Sequence, residues 1–111
     1  MLVHELGITQ NIVAIVSERA GEQKVTRVKL EIGTLSAIVP DAIRFCFDLC
    51  AQGTSLEGAA LEIDEIAGRG KCKGCGEEMP LSLLAGICQC GSRDIICVAG
   101  QELNIKEMEV L

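Results

Sequence analysis

Two close pairs of cysteines near the chain's middle constrain its fold more than any other feature. Cys72-Lys73-Gly74-Cys75-Gly76 is followed by Cys88-Gln89-Cys90-Gly91-Ser92, with twelve residues between Cys75 and Cys88. Thiols three apart can bracket a tight turn, and Gly76 allows backbone N–H groups to approach the sulfurs. Four thiolates satisfy the closed tetrahedral shell of structural zinc, with Zn–S near ~2.3 Å. A segment this short and without aromatics has little else to hold it together, and zinc binding supplies roughly 10–16 kcal/mol of folding free energy in comparable small units. Packing cysteines and a redox CxxC are the competing readings. Cys97 competes as a fourth ligand, although Ile95-Ile96-Cys97-Val98 reads as a buried apolar run.

The remaining chain predicts a frame around this module. Apolar residues at near-helical spacing from Leu6 to Ala20, stopped by Gly21, predict an amphipathic helix. Val28, Leu30 and Ile32 alternate with Arg27, Lys29 and Glu31, the pattern of a half-buried strand over residues 26–32. Pro40 and Asp41 suit the first turn of a second helix, with Ser36 or a neighbour as its cap. Ile43, Cys46, Phe47, Leu49 and Cys50 give that helix an apolar stripe, and Gly53 closes it. Leu61 and Ile63 mark a second strand. Leu103 and Ile105, then Met108 and Val110, mark a third whose change of phase requires a bulge. The expected class is α+β, with two helices packed on a three-stranded sheet and a zinc-ribbon-like module inserted before the last strand. Residues 1–67 and 101–111 form the frame, and residues 68–100 the module. Cys46 and Cys50, one helical turn apart, read as core residues.

Composition narrows the function. A net charge of −6 argues against nucleic-acid binding, which needs clustered Lys and Arg. The uncharged stretch from Leu6 to Ser17 is shorter than the ~20 residues needed to cross a bilayer. No secretory signal is read, so the expected compartment is the cytoplasm, where thiols stay reduced. A cysteine nucleophile lacks a nearby base, because the single histidine, His4, is at the other end of the chain. No phosphate loop or dinucleotide fingerprint is present.

The chain resembles the HypA/HybF family of hydrogenase nickel-incorporation proteins. The resemblance is carried by His4-Glu5-Leu6, the stretch Leu30 to Ser36, Phe45-Cys46-Phe47-Asp48, Gly53-Thr54 and Glu57-Gly58-Ala59. It continues through the CxxCG knuckle and Cys90-Gly91-Ser92 to the ending Gly100 to Ile105. It implies a nickel metallochaperone without catalytic residues. Ni(II) is the cargo, bound at the N-terminus by His4 with the terminal amine and backbone amides. Glu5 is the neighbour that orients or modulates that site. Four in-plane nitrogens suit square-planar Ni(II). Cys72, Cys75, Cys88 and Cys90 take the structural zinc. A HypB-type GTPase and the [NiFe]-hydrogenase large subunit are the implied partners, with hydrogenase or urease as client and a homodimer admissible. The family has Met directly before the histidine, whereas this chain reads Met1-Leu2-Val3-His4. The expectation is that Val3 is the natural initiator, restoring Met-His-Glu. A zinc-ribbon adaptor without nickel transfer is the alternative reading.

Overall fold

The computed structural model describes residues 2–82 and 86–111, with side chains from residue 4 onward at the N-terminus. Eight elements follow in chain order: α1 (Leu2–Ala20), β1 (Val25–Gly33), α2 (Pro40–Ala51), β2 (Ala60–Ile66), β3 (Arg69–Cys72), β4 (Glu78–Pro80), β5 (Ile95–Ala99) and β6 (Leu103–Val110). They build two three-stranded sheets, in the orders β2-β1-β6 and β4-β3-β5, with α1 packed against α2. The class is α+β, as the patterning requires. No described helix is long and apolar enough to cross a membrane.

In the first sheet β1 is central. It runs parallel to β2, which requires a crossover that α2 supplies, and antiparallel to β6. Val25, Val28, Leu30 and Ile32 turn one face of β1 into the core. There they join Ile12, Val13 and Val16 of α1 and Ile43 and Phe47 of α2. The opposite face is a ladder of charge. Arg27 reaches Glu62 on one side and Glu107 and Glu109 on the other, at 2.8, 3.3 and 3.1 Å, and Lys29 pairs with Asp64 at 3.5 Å. Hydrogen bonds donated to Glu109 and Glu107 hold the Arg27 guanidinium above its ordinary pKa, and Arg27 in turn lowers Glu109.

The bulge expected in the last strand is present. Lys29 pairs with Glu107 but Leu30 with Ile105, so Lys106 is the extra residue. Gly21 and Gly53 follow their helices with φ of +61° and +76°, the left-handed stop that glycine adopts without strain.

Four expectations are corrected. The first helix begins at Leu2, not Leu6, because its buried face continues through two polar residues, Glu5 and Thr9. Ser36 does not cap α2: it accepts the Ile38 N–H at 3.2 Å and donates to the Gly33 carbonyl at 2.7 Å, while Val39 is the N-cap and offers no side-chain bond. Residues 95–98 are not a buried run. As a strand of a two-faced sheet, β5 alternates, leaving Ile96 and Val98 exposed and Cys97 half-buried, with its thiol on the Ala99 carbonyl at 3.2 Å. Leu49 also departs from the expected stripe of α2 and is exposed, while Cys46 is buried and Cys50 half-buried.

Candidate metal centre

The two cysteine pairs meet. The Sγ atoms of Cys72, Cys75, Cys88 and Cys90 all lie within 4.8 Å of one another. Cys72 and Cys90 are 3.6 Å apart, and Cys75 and Cys88 are 3.5 Å apart. A tetrahedral tetrathiolate shell with Zn–S near ~2.3 Å spaces its sulfurs about 3.8 Å apart, so the donor set and its spacing match a zinc ion. Cys97 is outside the group.

Local sequence explains the convergence. Cys72 ends β3, its N–H bonded to the Glu77 carbonyl at 2.9 Å, and the Gly76 N–H closes back on the Cys72 carbonyl at 2.8 Å. The second loop repeats this closure: Cys88 N–H reaches Ser92 O at 2.9 Å and Gly91 N–H reaches Cys88 O at 2.8 Å. Each pair is followed by a glycine in the left-handed region, Gly76 at φ +79° and Gly91 at φ +92°. The shorter CxC pair therefore forms its turn with ordinary hydrogen bonds.

Electrostatics prepares one sulfur and waits on charge for the others. Backbone N–H groups of Cys75 and Gly74, opposed by burial, lower the Cys72 thiol to about 6, with help from the Cys90 and Cys75 thiols. Cys72 is therefore the readiest of the four thiols to ionise. The other three receive N–H groups too, from Glu77 on Cys75, Cys90 on Cys88 and Ser92 on Cys90. Burial and the adjoining thiols nonetheless push each of them up. Four sulfurs in this volume cannot all carry charge without a cation, and a divalent ion would deprotonate them together. Cys72 and Cys88 are buried, whereas Cys75 and Cys90 form the solvent side.

The N-terminal candidates lie elsewhere. His4 is exposed in the first turns of α1 and is not in the thiol group. Met1 and its amine, part of the expected nickel site, lie outside the described residues. Glu5 turns inward and is only 2% exposed. Its Oε2 accepts the Val39 N–H at 3.1 Å, so a carboxylate from α1 serves the N-terminus of α2, and its backbone carbonyl accepts the Thr9 hydroxyl at 2.7 Å. Oε1 is buried with no hydrogen-bond partner among the described residues. Sequence reading missed Val39 and Thr9 as Glu5's partners, because a backbone donor leaves no residue signature.

The Val39 N–H holds the Glu5 carboxyl below its ordinary value of 4.5, against burial, with its own N–H and His4 assisting. A depressed carboxyl stabilises the fold above its unfolded pKa and loses that contribution as pH falls through its lower folded value. Glu5→Gln is thus expected to lower the thermal midpoint at neutral pH, with the gap to wild type closing below pH 4.5. A gap that stays constant across that range would refute the charge-dependent contact.

A family model described as "Hydrogenase/urease nickel incorporation, metallochaperone, hypA" matches residues 3–110. The chain belongs to this family. The hydrogenase maturation factor HypA of Nostoc sp. (strain PCC 7120) is 63% identical over 108 residues, covering 97% of this chain and 96% of the relative. That of Geobacter metallireducens is 48% identical over 109 residues, covering 97% and 99%. Among solved structures, the Ni metallochaperone HypA from Helicobacter pylori superposes with a TM-score of 0.67 at 25% identity, covering 96% of this chain and 97% of that one. A second solution structure of HypA protein gives 0.74 at 26%, covering 98% and 97%. The resemblance carried by the sequence is borne out, and with it a role in nickel incorporation for hydrogenase maturation.

Proposed function

We propose that this chain binds Ni(II) near its N-terminus through His4 and delivers it to the large subunit of a [NiFe]-hydrogenase in the cytoplasm. A HypB-type GTPase is its partner in the transfer. Cys72, Cys75, Cys88 and Cys90 hold one structural zinc, residues 68–100 form the zinc module, and residues 1–67 with 101–111 form the nickel-binding frame. The observation that carries the reading is the match to the nickel-incorporation family along nearly the whole chain.

The two metals make opposite demands. Structural zinc needs a closed set of four ligands, and the thiol cluster supplies one. Cargo must leave, so its ligands should be exposed and cheap to rearrange. The exposed His4 near the start of α1 meets that need. The first four N–H groups of a helix have no intrahelical acceptor, so nitrogens there can turn to a metal with little loss of helix bonding. Glu5 acts as the orienting neighbour, its carboxylate tying this first turn to the start of α2 through Val39.

Equilibrium nickel binding to the zinc-loaded full chain tests the reading. His4→Ala is expected to weaken binding beyond the ~10–100-fold cost of losing an outer-shell partner, with zinc content unchanged. Nickel bound by the variant as tightly as by wild type would sink the assignment and leave a zinc-ribbon adaptor.

A further inference from the structure

The thiol cluster has two sides. Cys72 and Cys88 are buried, while Cys75 and Cys90 are exposed. Two sulfur contacts cross both from one side to the other and from one loop to the other. Cys90 meets Cys72 at 3.6 Å, and Cys75 meets Cys88 at 3.5 Å. A reagent arriving from solvent therefore reaches a sulfur that already touches a buried thiol of the opposite loop. That is the arrangement of an oxidation site beside its resolving cysteine.

The other cysteines lack such a partner among the described residues. Cys97 stands outside the group, its thiol on the Ala99 carbonyl at 3.2 Å. Cys46 and Cys50 lie one helical turn apart on α2. That spacing sets Cβ atoms ~5–6 Å apart, wider than the ~3.5–4.5 Å a disulfide spans.

Chain connectivity selects the pairing within the cluster. Cys88 and Cys90 are separated by Gln89 alone, so a bond between them closes a small, strained ring. Pairing within each loop would require that bond and would leave the two loops unconnected. Pairing across the loops avoids both. It joins Cys72 to Cys90, 18 positions on, and Cys75 to Cys88, 13 positions on, closures long enough to restrain the unfolded chain.

We propose that Cys75 and Cys90 are oxidation sites resolved by Cys88 and Cys72, so that peroxide converts the zinc-holding module into a zinc-free one stapled by two disulfides across its loops. The inference rests on the four-thiolate reading and is independent of the nickel ligands. At each exposed sulfur the thiolate attacks hydrogen peroxide. The O–O bond breaks, one oxygen stays on sulfur as a sulfenic acid, and hydroxide leaves. The buried thiolate then attacks that sulfur, the S–O bond breaks, and a second hydroxide leaves. Two protons from solvent turn the hydroxides into water. Each disulfide thus consumes one peroxide, which takes two electrons from the sulfur pair. Disulfide sulfurs carry no charge, so the set loses the thiolates that a divalent cation requires. A dithiol reverses the step by exchange.

Titrating the zinc-loaded full chain with hydrogen peroxide, beside a chromophoric zinc chelator, tests this. One zinc is expected to appear for every two peroxides consumed. Digestion at Lys73 and Glu78, with fragmentation at Gln89, should map bonds from Cys72 to Cys90 and from Cys75 to Cys88. Cys46, Cys50 and Cys97 should stay open to alkylation, and dithiothreitol followed by zinc should restore the metal content. Any other pairing of these sulfurs would overturn the proposal, as would zinc kept while peroxide is consumed. A reduced chain that holds no zinc before peroxide is added would instead remove the four-thiolate reading, and the proposal with it.

Discussion

Cys72→Ser is expected to abolish zinc retention and melt β3, β4 and β5 while α1, α2 and the β2-β1-β6 sheet stay folded. The apolar core explains the asymmetry. Among the described residues, every member of the buried cluster, and every apolar residue packed against it, belongs to the frame; none comes from the module. Among the module's described residues, Cys72 and Cys88 are the buried side chains of the core set, and Cys72 is 0% exposed. The module's cohesion therefore resides in its sulfurs and in the turns that aim them. A serine hydroxyl is a poor zinc ligand, and three thiolates leave the shell open. At stake is the roughly 10–16 kcal/mol that zinc contributes to small units of this kind. Intact mass should fall by one zinc, and the amides of β3 and β5 should lose protection while those of β1 keep theirs. Cys97→Ser is the control and should keep its metal, since that thiol bonds the Ala99 carbonyl and stands outside the group. Zinc retained by Cys72→Ser, with β3 still protected, would defeat the four-thiolate reading.

What was legible in the sequence was whatever leaves a periodic or spaced trace. The alternation of Val28, Leu30 and Ile32 located β1, the broken phase after Ile105 located the bulge, and the two CG-terminated pairs located the thiol cluster. Apolar periodicity failed where polar residues fill buried positions. Glu5 and Thr9 sit four apart on the inner face of α1, the Thr9 hydroxyl bonded to the Glu5 carbonyl and Glu5 Oε2 to the Val39 N–H, so the helix runs a turn further back than its apolar residues indicate. It failed again over residues 95–98, where a four-residue apolar run cannot by itself distinguish a strand buried on both faces from one exposed on alternate positions. Phe45, which the apolar stripe read for α2 leaves out, lies exposed on that helix. Contacts made by backbone alone, such as the N–H groups aimed at the sulfurs, left no trace beyond the glycines that permit them.

Close backbone crossings are the extreme case, and they yield the second large effect. A Cβ at Gly33 would stand 1.9 Å from the Gly100 carbonyl oxygen and 2.6 Å from the Gln101 nitrogen. Gly100, at φ +109°, has Gly68 Cα 2.5 Å from where its own Cβ would be, and a Cβ at Gly68 would meet the Leu81 carbonyl at 2.2 Å. Three glycines from the end of β1, the start of β3 and the approach to β6 thus pass one another where the frame meets the cysteine module. The obstacle to a Gly33 methyl is main chain, so no rotamer change relieves it. Nor is that main chain free to retreat, because Leu35 N–H holds the Gly100 carbonyl at 2.7 Å and Gly33 N–H holds the Glu102 carbonyl at 2.8 Å. Gly33→Ala is therefore expected to cost about 3 kcal/mol or more, at the upper end of overpacking effects. Gly7, in the interior of α1 with nothing within 4 Å of its would-be Cβ, gives the opposite sign. There an alanine should stabilise by roughly 0.5–1 kcal/mol through helix propensity. Denaturant midpoints of the two zinc-loaded variants should fall on either side of wild type. A Gly33→Ala midpoint at or above that of Gly7→Ala would mean the crossing is looser than its distances imply. The frame and module would then be joined by their connecting strands alone, rather than by this stack of main chain.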